Sequence, residues 1–119
     1  MSERDPRLYV EDMLEFCGLA LDYAAGVKRE SLQANRMRYD AILRNLELIG
    51  EAATHVGEDQ RVLAPDIPWR QIVATRNRVA HAYLGIAADT VWSILQDDLP
   101  PLRLALVALL AALPPEPAS

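Results

Sequence analysis

The chain has 119 residues, 51% of them apolar and 24% charged, which suits one soluble globular domain and excludes both a disordered and a fibrous class. Twelve basic residues against 17 acidic give a net charge of −5, so the chain does not coat nucleic acid by bulk charge. One cysteine, Cys17, and two histidines exclude an internal disulfide and a structural zinc site within one copy; no metal or other cofactor is expected.

The longest uncharged apolar run, Leu104 to Leu113, is shorter than the roughly 20 residues a membrane-spanning helix needs. The N-terminal residues Met1-Ser2-Glu3-Arg4-Asp5 lack the basic start and apolar stretch of a secretory signal, so a cytoplasmic location is expected. Two stretches are locally basic. Lys28 to Arg44 holds five basic residues against two acidic, and Arg61 to Ala88 holds four against Asp66 alone. They make a basic patch only if the fold joins them.

In chain order, the first helix is expected from Pro6 to about Ala25, with Val10, Leu14, Cys17, Leu21 and Ala24 as its apolar stripe and Gly26 as its stop. Cys17 is read as core. A second helix begins between Ser31 and Asn35 and runs to Val56, with Tyr39, Ile42, Leu46, Ile49, Ala53 and Val56 facing inward. His55 near its end is read as a favourable charge at a helix C-terminus. The two prolines flanking Asp66 and Ile67 mark an ordered loop. A third helix is expected from Pro68 or Trp69 to about Tyr83, ended by Gly85. Asp89 is expected to cap a fourth, in which Val91, Trp92 and Leu95 face inward.

Pro100-Pro101 should break or kink that element, because proline lacks an amide proton and clashes with the preceding turn. Leu102, Leu106, Leu109 and Leu113 carry a last helical stripe. The absence of alternating runs and hairpin turns sets the class as all-α, an up-and-down bundle of four to five helices. Residues 1–113 form the domain, and 114–119 a disordered proline-rich tail.

The third helix breaks its own pattern. Trp69, Ile72, Arg76, Val79 and Tyr83 share helical spacing, which sets an arginine in an apolar seam. A guanidinium stays charged, so Arg76 requires a counter-charge such as Glu47 or Glu51, a hydrogen-bond network, or a wet cleft. Asn77 and His81 lie on a neighbouring line, four residues apart, which allows Asn77 to fix the imidazole tautomer. On one ideal helix Arg76 and His81 point about 140° apart, so two copies facing each other would bring them together more readily than one.

The run Arg76-Asn77-Arg78-Val79-Ala80-His81-Ala82-Tyr83 resembles the Arg-x4-His-x-Tyr motif of the HepT family, within the HEPN group of helical ribonuclease domains. Asp40 to Ala53 is similar to that family's second-helix signature. Pro65-Asp66-Ile67-Pro68-Trp69 resembles its central loop, and Val91-Trp92 with Leu99-Pro100 its fourth helix. The chain departs from the pattern at Ala87 and at Ala74-Thr75, none of them a motif residue.

The resemblance implies a symmetric dimer, metal-independent RNA cleavage, and a toxin role within a toxin-antitoxin pair. It implies a MntA-like nucleotidyltransferase antitoxin that transfers AMP to Tyr83, with Arg76 and His81 catalytic and Asn77 supporting. The chemistry agrees with those residue types. Cleavage by the substrate's own 2′-hydroxyl needs proton transfer, which imidazole performs near neutrality, and charge stabilisation, for which guanidinium matches two phosphate oxygens. Two other readings fit the same residues: a non-catalytic helical module that docks a nucleotidyltransferase, and a structural salt bridge at Arg76 with His81 as a helix-end hydrogen bonder.

Overall fold

The structure, a computed structural model, describes residues 4–81 and 86–114. Among them all regular structure is helical: α1 (Pro6–Ala24), α2 (Arg36–Thr54), the single turn α3 (Glu58–Arg61), α4 (Trp69–Ala80), α5 (Ala88–Ser93) and α6 (Leu99–Ala112), with a 3-10 turn at Arg29–Ser31. The sequence-predicted all-α class and helix order hold. The tail expected over residues 114–119 lies, beyond Pro114, outside the described residues.

The ends of α1 and the start of α2 have local causes. Asp5 caps α1 by accepting the Arg7 amide at 2.9 Å, and Pro6 occupies the first turn, where a missing N–H costs nothing. Gly26 follows the end of α1 at φ +75°, in the left-handed region that a Cβ disfavours. Asn35 caps α2 through the Arg38 amide at 3.0 Å. Asp89 does not cap α5. Ala87 holds the cap position, and the Asp89 carboxylate in the first turn instead pairs with Arg29 at 2.9 Å.

The Pro100-Pro101 pair neither breaks nor simply kinks the last element. A π-helical stretch, Ile94–Asp98, joins α5 to α6, and the Leu99 amide bonds the Ile94 carbonyl five residues back. The wider turn sits directly ahead of the prolines, whose rings would otherwise press on the preceding carbonyls and whose nitrogens cannot donate.

The α2 stripe Tyr39, Ile42, Leu46, Ile49, Ala53 and Val56 is buried in full, and so are Leu102, Leu106, Leu109 and Leu113. Helix α1 packs on α2 and α6, and α4 packs on α2. Burying such side chains contributes about 1.5–3 kcal/mol each, which makes the α1–α2–α6 core the frame on which α4 is mounted. Cys17 lies fully buried on that frame, its thiol facing the Leu99 carbonyl at 3.5 Å and pushed up to about 11 by burial, as its core reading requires.

Arg61, counted above in a basic stretch, is a structural residue. Its guanidinium donates to the carbonyls of Val56 at 2.9 Å and Ala53 at 2.8 Å, closing the C-terminus of α2, and lies 5.3 Å above the Trp69 ring. Arg61→Ala is expected to lower stability by about 2 kcal/mol, read as a drop in urea midpoint at constant slope. An unchanged midpoint would mean that water serves those carbonyls equally well.

Candidate active site

Helix α4 is set by the loop before it. Ile67 and Trp69 are buried, and the Trp69 indole donates to the Ala64 carbonyl at 3.2 Å, so the first turn starts from a fixed point. Along α4, Trp69 and Val79 are buried and Ile72 and Arg76 are half-buried, while Arg70, Ala74, Asn77, Arg78 and His81 are exposed.

Gly50 decides how close α4 comes to α2. A Cβ at Gly50 would collide with the Arg76 Cβ and sit 3.0 Å from its Cγ and 3.1 Å from the Ile72 carbonyl. The stem of Arg76 therefore lies across the bare backbone of Gly50, and its charged head reaches solvent beyond it. There Nη2 meets Glu51 Oε2 at 2.7 Å, and Nη1 donates to Asn77 Oδ1 at 3.0 Å. The pair is wet: the side chains are 37% and 46% exposed. Two sequence alternatives are thus realised together, the counter-charge and the hydrogen bond. Of the two candidate partners, Glu51 binds Arg76, while Glu47 binds Arg44 at 3.1 Å.

His81 stands at the C-cap of α4, exposed, with φ −113° and ψ 49°, and its amide bonds the Arg78 carbonyl at 3.3 Å. The helix expected to reach about Tyr83 ends at Ala80, so ideal helical angles do not carry past that point. Asn77 does not serve the imidazole in this arrangement; its carboxamide oxygen is taken by Arg76. Tyr83 lies outside the described residues.

Two neighbours, His55 and Tyr9, were not assigned to the site by sequence. Glu51 Oε1 lies 3.6 Å from His55 Nε2, and the His55 ring stacks on Tyr9 with centroids 4.8 Å apart and planes at 20°. Arg4 covers Tyr9 at 4.8 Å. The signal was present as a Glu-His pair four residues apart on one helix. His55 holds the C-cap position of α2, beside the carboxylate that holds Arg76.

The basic stretch from Lys28 to Arg44 does not form a free patch. Arg29 pairs with Asp89, Arg36 with Asp40 and Arg44 with Glu47, and Arg38 donates to the Ser31 carbonyl at 3.3 Å. On α4 itself Arg70 and Arg78 are exposed and Arg76 is half-buried. A cavity of about 380 Å³ between α4 and α6 is floored by Leu46, Ile72 and Leu102 and carries Asp66, Asp97 and Asp98. Burial and the Asp97 charge push the Asp98 carboxyl above its ordinary value. Its lining includes no basic side chain, so a polyanion finds no partner there.

Comparison with known proteins returns the same assignment as the motif. The family described as "Ribonuclease HepT-like" matches residues 13–109. A protein of Methanocaldococcus jannaschii named "Putative RNase" is 32% identical over 103 residues, covering 87% of this chain and 94% of that relative. One of Thermococcus cleftensis named "Probable ribonuclease HepT" is 31% identical over 101 residues, covering 85% and 92%. No solved structure matches.

Proposed function

The chain belongs to the HepT-like ribonuclease family, and from that premise we propose a metal-independent endoribonuclease, the cytoplasmic toxin of a toxin-antitoxin pair, acting through Arg76 and His81. The observation that carries the reading is the presentation of Arg76. Its stem is pinned over Gly50 and Asn77 holds Nη1, so its planar head is oriented at the solvent-exposed surface, where a phosphate could reach it.

In the proposed reaction the 2′-hydroxyl attacks the adjacent phosphorus while His81 takes its proton. The 5′-oxygen leaves with a proton from an imidazole, giving a 2′,3′-cyclic phosphate and a 5′-hydroxyl. Arg76 binds the non-bridging oxygens as charge builds on them, and Asn77 positions Arg76. A symmetric dimer supplies the second imidazole. The exposed line Arg70, Ala74, Asn77 and His81 supports this, since a small residue at its centre lets two α4 helices approach.

Regulation follows the family pattern: a MntA-like nucleotidyltransferase transfers AMP to the Tyr83 hydroxyl, and the added phosphate offers the Arg76 guanidinium a counter-charge in place of RNA. Co-expression with such a transferase, followed by intact mass and peptide mapping, should place AMP on Tyr83 and nowhere in Tyr83→Phe. An unmodified chain beside a demonstrably active transferase would contradict this regulation.

A further inference from the structure

The guanidinium that the proposed reaction needs is already occupied. Glu51 holds Arg76 at 2.7 Å, in the geometry a phosphate oxygen would take, so bound RNA and Glu51 compete for the same donors. A displaced carboxylate beside a polyanion is repelled and needs another partner. One is in place: the other Glu51 oxygen is 3.6 Å from His55 Nε2, one turn further along α2. The groups facing that imidazole are Glu51 and the Tyr9 ring, whose 4.8 Å stack fixes the His55 plane, with Arg4 over Tyr9.

We propose that Glu51 is an internal stand-in for the RNA phosphate and that His55 is a positioning residue, receiving the Glu51 carboxylate when RNA takes Arg76. The inference rests on Arg76 being the phosphate-binding residue. His55 then acts on RNA only through Glu51, and touches neither the substrate nor the reacting atoms. Tyr9 keeps the imidazole on the Glu51 side.

The test is binding of a 2′-O-methyl RNA, which lacks the nucleophile and so reports affinity alone, measured by fluorescence anisotropy on the full chain. Glu51→Gln should tighten binding by about fivefold, the range expected for releasing an exposed ion pair. His55→Ala should weaken it by about threefold, because Glu51 then has no second partner. The double variant should bind as Glu51→Gln does, since His55 has no role once the carboxylate is gone. A His55→Ala effect that persists in the Glu51→Gln background, or weaker binding by Glu51→Gln, would overturn the proposal. Arg76→Ala in the same assay separates the two levels. Unchanged affinity there refutes the phosphate-binding role itself, whereas a loss of affinity with additive Glu51 and His55 effects refutes only the exchange.

Discussion

Arg76→Ala is expected to reduce RNA cleavage by about 10²- to 10³-fold while lowering the melting temperature by no more than about 4 °C. The separation of the two effects follows from exposure. The Arg76–Glu51 pair has 37% and 46% of its side chains in solvent, and such pairs contribute at most about 1 kcal/mol to folding. Loss of a buried pair would instead cost about 3–5 kcal/mol. His81→Ala, at an exposed C-cap, should leave stability unchanged and remove proton transfer, at about 10²- to 10⁴-fold in rate. Cleavage rates and thermal denaturation of the three proteins check both halves. A large loss of stability with cleavage retained would favour the salt-bridge reading.

Gly50→Val is expected to damage both properties. The new Cβ would occupy the place of the Arg76 Cβ, and the nearby Ile72 carbonyl belongs to the backbone and cannot swing away. Helix α4 must therefore move off α2, at a cost of about 3 kcal/mol, or a fall of roughly 10 °C. Gly50→Ala should be milder, because alanine recovers about 1 kcal/mol of helix propensity. In both variants the Arg76 head shifts with its stem, so cleavage should fall in proportion to the displacement. Denaturation and cleavage measured together test this; wild-type stability in Gly50→Val would mean that α4 does not approach as closely as the structure places it.

Much of the fold was legible in the sequence because apolar spacing reports which face of a helix is buried. The α2 stripe from Tyr39 to Val56 and the α6 stripe from Leu102 to Leu113 are buried residue for residue. Pro6 and Gly26 marked the ends of α1 through their backbone preferences. Periodicity does not report how closely two axes approach. For that reason Gly50 was visible only as part of a family signature, although a glycine inside a helix costs about 1 kcal/mol and calls for a packing reason.

The requirement for a partner to Arg76 was readable from charge alone, since a guanidinium cannot be neutralised. That the partner would be Glu51 rather than Glu47 depended on the crossing of α2 and α4. The end of α4 at Ala80 carries no nearby glycine or proline, so nothing in the sequence distinguished it from a helix reaching Tyr83. Asp89 had the right residue type for a cap but stood two positions inside α5, where Arg29 claims its carboxylate.

The most direct test of an Arg76 and His81 centre is the identity of the ends left on cleaved RNA, with a chelator present throughout. Attack by the 2′-hydroxyl, with imidazole moving the protons, predicts undiminished cleavage that yields 2′,3′-cyclic phosphate and 5′-hydroxyl ends, lost in both Arg76→Ala and His81→Ala. Ends bearing a 5′-phosphate and a 3′-hydroxyl, or cleavage abolished by the chelator, would mean that water attacks with a metal's help and that these two residues do not carry the reaction.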